Sequence, residues 1–179
     1  MIKKFSKKIK NKKGAGMIEF VYAMMLFLTL VIAGFEFFMM GYKYMTVSNF
    51  ANELSSTISR QGGIQISKPN GYSSGGTSYQ TSKILVDEIK NLGDKIGQNP
   101  TDINITIKYQ PTGSTSFKTA TLNGSSNIEI PYGNRFEITV EYRFRFELLN
   151  QIVPLPDSGT IQRTKGDVSQ FEHDYGIYD

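Results

Sequence analysis

A run of sixteen residues without a charge, close to the N-terminus, constrains this chain more than any other feature. It extends from Phe20 to Phe35, and the apolar character continues past Glu36 to Met40. About 20 apolar residues in a helix cross the roughly 30 Å hydrocarbon core of a bilayer. The sequence therefore predicts that a transmembrane helix occupies residues 15–41 of this 179-residue chain.

The charges are distributed unevenly along the chain. Residues 1–13 hold seven lysines and no acidic residue, whereas the remainder holds 13 of the 20 Lys and Arg residues and all 16 acidic ones, a net charge of −3. The positive-inside rule places the lysine-rich end in the cytoplasm and the C-terminal domain outside. The formal charge of +4 thus describes a short basic head, and we expect no direct binding of nucleic acid.

A cleaved signal peptide and a buried core helix are the simpler interpretations of the apolar run. The apolar part of a signal peptide has about 7 to 15 residues and ends at a small-residue cleavage site. This run is longer, and the sequence EFFMMGYKYM that follows it offers no such site. A buried core helix of a soluble protein would not explain why a lysine-rich segment precedes the apolar run.

Glu19 lies at the entrance of the apolar run. A carboxylate within a bilayer costs about 2.5 to 3.5 kcal/mol on insertion scales, and such residues usually have a function. The residues beside Glu19 are uncharged, so no cation close in sequence offsets this cost. Alternatively, Glu19 reaches the interface by snorkelling, since it is only about one turn into the run. Glu36, near the other end, is predicted to be an interfacial carboxylate.

The basic leader, Gly14, the sequence AGMIEF and the long apolar helix together resemble the N-terminus of type IV pilins. Alanine at position 15, where those pilins have phenylalanine, is closer to the TadE-like branch of tight-adherence pilus proteins. GFEFF around Glu36 and Arg60-Gln61-Gly62 also resemble that branch, so the likeness covers about residues 12–62.

The resemblance implies that a prepilin peptidase cuts after Gly14. Ala15 then becomes the first residue and Glu19 the fifth. The new α-amino group can neutralise Glu19 of a neighbouring subunit, or pair with Glu19 of its own chain four residues away. The implied partners are the peptidase, other pilin subunits, the pilus assembly platform and the lipid bilayer. The implied location is the cell membrane, crossed once, or a surface pilus, and no cofactor is implied.

Periodicity predicts the elements of the exported part. Apolar residues at helical spacing continue the first helix over 42–62 as an amphipathic stripe and predict a second helix that Gly97 ends. Strict alternation predicts strands over 103–109 and 136–146, and a shorter run includes Ile128 and Ile130. We expect an α+β fold in which the long helix covers a small antiparallel sheet, pilin-like, with one additional helix. The expected segments are a leader (1–14), the membrane helix (15–41), its amphipathic continuation (42–62), the exported domain (63–159) and a C-terminal tail (160–179) with a weak strand near Ile161.

No residue pattern indicates catalysis. The chain has no cysteine, which excludes disulfides and thiolate metal sites, and its one histidine, His173, lies in the expected tail. Asp87 and Glu88 are predicted to lie on a solvated helix face, so neither an enzymatic nor a metal site is expected. The main hypothesis is a TadE-like minor pilin. The alternative is an uncleaved signal-anchor protein with an extracytoplasmic binding domain, which needs neither Gly14 nor Glu19.

Overall fold

The computed structural model describes residues 12–69, 72, 78–146, 148–152 and 159–171, with side chains from Gly16 onward. Most of the expected leader, residues 70, 71 and 73–77 of the polar, glycine-rich stretch before the second helix, and the end of the expected tail with His173 lie outside these residues. The chain divides into two compact units. Met1–Gly41 with Arg145–Asp157 form one, and Tyr42–Phe144 with Ser158–Asp179 form the other.

Helix α1 (Lys12–Gln61) runs without interruption from the apolar run into the amphipathic stripe. By length and composition it is the one described helix that can span a membrane. Its candidate span, Gly16–Gln61, has an 18-residue stretch of mean hydropathy 2.1 in which no residue is buried. The helix ends where Gly62 adopts a left-handed φ of 72°, a conformation that favours glycine. The single helix expected over residues 15–62 is thus present.

Helix α2 (Ser82–Ile96) follows its sequence signals closely. The Thr81 side chain accepts a hydrogen bond from the Ile84 amide, and Gly97 closes the helix in the left-handed conformation at φ 64°. Both caps satisfy backbone groups that helix ends leave unpaired. The buried face of α2 carries the apolar residues expected from the sequence: Leu85, Ile89, Leu92 and Ile96.

The main sheet of the described residues has four antiparallel strands, β2 (Ile103–Tyr109), β3 (Lys118–Thr121), β5 (Arg135–Phe144) and β6 (Gly159–Val168). Their order in the sheet is β3-β2-β5-β6. Two short strands, β1 (Gly63–Ile64) and β4 (Ile128–Glu129), form a separate antiparallel pair. Single turns of 3₁₀ helix occupy Pro100–Asp102 and Leu149–Gln151. The α+β class and the antiparallel sheet are confirmed.

One apolar core joins the stripe of α1 to the sheet. Strand β5 pairs with the whole of β2, and its inward and outward side chains alternate, as the sequence predicts. Val47, Ala51, Leu54 and Ile58 of α1 are at most 2% exposed and belong to the same buried cluster as Ile105, Ile107, Phe136 and Ile138 of the sheet.

Two expectations for the C-terminal part need correction. The weak strand expected near Ile161 is present but much longer: the start of the tail assigned to residues 160–179 belongs to β6, a ten-residue strand that pairs with all of β5. Beyond it, Ser169 is buried and donates a hydrogen bond to the Ile130 carbonyl, 2.9 Å away. In addition, β5 ends at Phe144, so Phe146 does not continue its apolar face. Backbone pairing holds β6, although its side chains show no strong alternation of apolar and polar residues.

Candidate functional site

The predicted processing junction lies within the first turn of α1. That helix begins at Lys12, so the backbone at Gly14 and Ala15 is helical. Glu19 follows one turn later on a helix surface where Met17, Ile18 and Phe20 are all exposed. Among the described residues, Glu19 makes no hydrogen bond or ion pair. Its carboxylate is therefore available to a group from outside this chain or to a new N-terminus.

Glu36 is buried, unlike most of its neighbours on the apolar half of α1, and only 9% of it is exposed. Its Oε1 accepts hydrogen bonds from the Leu148 amide at 2.5 Å and from the Leu149 amide at 3.3 Å. Its Oε2 is also buried and has no partner among the described atoms. The sequence predicted that Glu36 is interfacial and assigned it no partner. It did not predict this contact with Leu148, 112 residues away.

The segment that Glu36 contacts is a short 3₁₀ turn. The Gln151 amide donates to the Leu148 carbonyl at 3.2 Å, and the Ile152 amide donates to the Leu149 carbonyl at 2.9 Å. The first amides of such a turn have no acceptor within it, and the Leu148 side chain provides no cap. The Glu36 carboxylate supplies the missing acceptor, and its negative charge suits a helix N-terminus.

Apolar packing accompanies this polar contact. The rings of Phe37 and Phe146 meet edge to face, with centroids 6.1 Å apart, and Leu149 is 8% exposed. On the same stripe of α1 as Glu36, at helical spacing, three residues are half-buried: Ile32, Ala33 and Met40. We call the described residues of this piece, 145–146 and 148–152, the clip segment. Together with the first part of α1 they belong to the first compact unit.

Sequence reasoning missed the clip segment because it treated Phe146 as part of the strand. A signal was present, since the alternation ends at the adjacent leucines of the sequence FELLNQI, Leu148 and Leu149. Adjacent apolar residues do not fit a strand with one wet face. The sequence pattern did not indicate that Glu36 would accept hydrogen bonds from the amides of this segment.

A second polar feature is a cleft of about 370 Å³ between α1 and α2. It is lined by Glu53 of α1, Glu88 of α2, two asparagines (Asn49 and Asn91) and Lys95, among others. Burial, and secondarily the negative charge of Glu53, raise the pKa of Glu88 above its usual value. Glu88 was expected on a fully solvated face but is half-buried. Asp87, whose pKa is lowered by its hydrogen bond to Lys90, is exposed.

The described residues bring no group of three or more His, Asp or Glu side chains together in a way that could hold a metal ion. Glu19 and Glu36 are seventeen residues apart on α1, about 25 Å at 1.5 Å per residue, so they form two separate positions and not one site. Compared with known protein families, with curated proteins and with solved structures, the chain matches none.

Proposed function

We propose that this protein is a TadE-like minor pilin. It is inserted in the membrane by the first part of α1, cut after Gly14, and incorporated into a type IV-like pilus or a related surface assembly. The N-terminus lies in the cytoplasm before processing, and the sheet domain lies outside. The protein works as a structural subunit and not as an enzyme.

The position of Glu19 carries this proposal. It is the fifth residue after Gly14, and it is exposed and unpaired, among the described residues, on a helix that is apolar enough to span a membrane. A plain membrane anchor gains nothing from a carboxylate that costs about 2.5 to 3.5 kcal/mol to insert. In an assembly, a cation from a neighbouring subunit would offset that cost, so the docking of subunits would be favoured.

The second half of α1 supports the same proposal. Its stripe from Val47 to Ile58 is buried in one core with the sheet, so the membrane helix and the exported domain share an uninterrupted helix. Such a helix lets a subunit be held in the bilayer by one half and present a folded domain with the other. The processed amine of Ala15 is the cation that we assign to Glu19.

Processing is the decisive test. Intact-mass analysis of membrane-extracted protein, made in cells that contain a prepilin peptidase, should show a chain beginning at Ala15. Gly14→Leu should abolish the cut, because a bulky side chain replaces the residue that the peptidase requires. Gly16→Ala, two residues away, is the matched control and should be cut normally. A mature chain that retains Met1 in the presence of active peptidase would favour the signal-anchor alternative.

Glu19→Gln separates insertion from assembly. The variant should insert as well as the native chain, since the cost of a charge in lipid disappears. Its incorporation into sheared surface filaments, normalised to its membrane level, should fall about tenfold or more, because an uncompensated amine remains in a medium of low dielectric constant. Incorporation equal to that of the native chain would remove the neutralisation mechanism.

A further inference from the structure

The clip segment raises a physical problem if α1 spans a bilayer. Glu36 lies inside the apolar part of α1, between Phe35 and Phe37, and the clip segment is bonded to it. Hydrocarbon offers no hydrogen-bond partners, so backbone that is neither α-helical nor part of a closed barrel is tolerated there only when its amides are satisfied. At the start of the 3₁₀ turn, the amides of Leu148 and Leu149 donate to Glu36, and the amide of Asn150 donates to the Phe146 carbonyl at 3.3 Å.

The exposed side chains of the clip segment are of two kinds: Leu148 and Ile152 are large and apolar, whereas Arg145, Asn150 and Gln151 are polar. Leu148 is 44% exposed and Ile152 is 49% exposed. The clip segment adjoins the apolar half of α1 where the ring of Phe146 meets that of Phe37, which is itself exposed. Large exposed apolar side chains beside an apolar helix are typical of a surface that contacts lipid or another protein.

The position of Glu36 along α1 indicates which leaflet of the bilayer the clip segment would contact. Glu36 lies about 25 Å along the helix from Glu19, at ~1.5 Å per residue, within a hydrocarbon core of roughly 30 Å. With the lysine-rich end in the cytoplasm, this position falls in the outer leaflet near its headgroup boundary. Arg145, exposed at the start of the clip segment, is long enough to reach the headgroups from there.

From these observations we infer that the clip segment is a second membrane-contacting element: it lies in the outer leaflet beside α1, with Leu148 and Ile152 against lipid chains, and Glu36 holds it there by capping its amides. The carboxylate thereby takes the place of the water that would otherwise hydrate those two amides. This inference rests on the proposed membrane insertion of α1.

Single cysteine labels give a direct test, because the native chain contains no cysteine. Full-length protein in lipid nanodiscs carries an environment-sensitive fluorophore at one of three positions. Ile152→Cys reports on the clip segment, Phe27→Cys reports on the apolar half of α1, and Gln162→Cys reports on an exposed position in β6. Each is quenched in turn by a lipid-bound nitroxide and by a water-soluble ion.

The inference requires that the labels at residues 152 and 27 have blue-shifted emission and respond to the lipid quencher, while the label at residue 162 responds to the aqueous one. A label at residue 152 that is quenched from water, with residue 27 in lipid, overturns the inference and leaves membrane insertion intact. A label at residue 152 shielded from both quenchers also overturns it and indicates a protein partner. If residue 27 responds to the aqueous quencher, membrane insertion itself has failed.

The role of Glu36 is tested in the same nanodiscs. Glu36→Leu should shift the label at residue 152 toward water and speed amide hydrogen exchange at Leu148 and Leu149 about ten- to a hundredfold, as expected for loss of hydrogen bonds to a charged group. Glu36→Gln keeps an acceptor oxygen and should preserve most of the protection. Phe35→Leu, on an exposed face one residue away, is the control and should change neither measurement. Unchanged exchange in Glu36→Leu would overturn the capping role.

Discussion

Tyr142 shows how a single buried atom can weaken a well-packed sheet. It is completely buried in β5, opposite Ile103 of β2 and Ile161 of β6. Its hydroxyl has no hydrogen-bond partner among the described atoms, and burial raises the pKa of Tyr142 to about 12. A buried hydroxyl without a partner is costly, since it loses its bonds to water and gains none.

Tyr142→Phe should therefore stabilise the protein, by about 1 kcal/mol, the low end of the cost of an unsatisfied buried group. Denaturant unfolding, followed by circular dichroism, measures this change. Ser59→Ala is the matched control with the opposite sign. The Ser59 hydroxyl donates to the Val168 carbonyl at 2.6 Å, and loss of that hydrogen bond should lower the free energy of unfolding by about 1 kcal/mol. If Tyr142→Phe were destabilising by a similar amount, the hydroxyl must have a partner.

Glu53 of α1 and Glu88 of α2 are two like charges that line the cleft between these helices. Because the pKa of Glu88 is raised in the folded state, the folded protein binds its proton more tightly than the unfolded chain does. Stability from this group therefore falls as the pH rises from the ordinary value of 4.5 through the raised folded value, and the loss is complete above it.

Glu88→Gln is expected to raise the melting temperature at pH 7, with a gain of up to about 0.5 kcal/mol, the usual size for changes near the surface. The gain should vanish below about pH 4, where the carboxyl group is protonated in both states. Asp87→Asn is the control with the opposite sign: the pKa of Asp87 is lowered by Lys90, so its replacement should remove a little stability at pH 7. A gain for Glu88→Gln that is independent of pH would exclude the electrostatic cause.

At the scale of the whole molecule, the second half of α1 belongs to the same buried core as the sheet. A shortened chain that begins at Lys43 keeps Val47, Ala51, Leu54 and Ile58, and it should unfold cooperatively on heating. A chain that begins at Ile64 exposes the apolar face of the sheet and should aggregate, since removing large buried side chains typically costs 2 to 5 kcal/mol each. Sedimentation and thermal melting distinguish the two, and equal behaviour would mean that the core does not depend on α1.

Local sequence alone determined the elements whose burial repeats at a fixed period. The apolar stripe of α2, its end at Gly97 and the alternation in β2 and β5 each follow from one face that meets water and one that does not, and the apolar run is recognised by its length without a charge. The charge split, likewise, is a property of composition. These predictions needed no knowledge of which distant residue would be the partner, because the physical cause acts within a few residues.

Only the tertiary structure decided where backbone groups find partners far along the chain. Strands β1 and β3 were not predicted, and the short run at Ile128 did not show that β4 would pair with β1. The weak strand expected near Ile161 did not show that β6 would extend over ten residues, which pair with β5 through backbone hydrogen bonds. The contact between Glu36 and the amides of Leu148 and Leu149 belongs to the same class. Every residue except proline offers the same backbone donor and acceptor, so the sequence does not show which of them will meet.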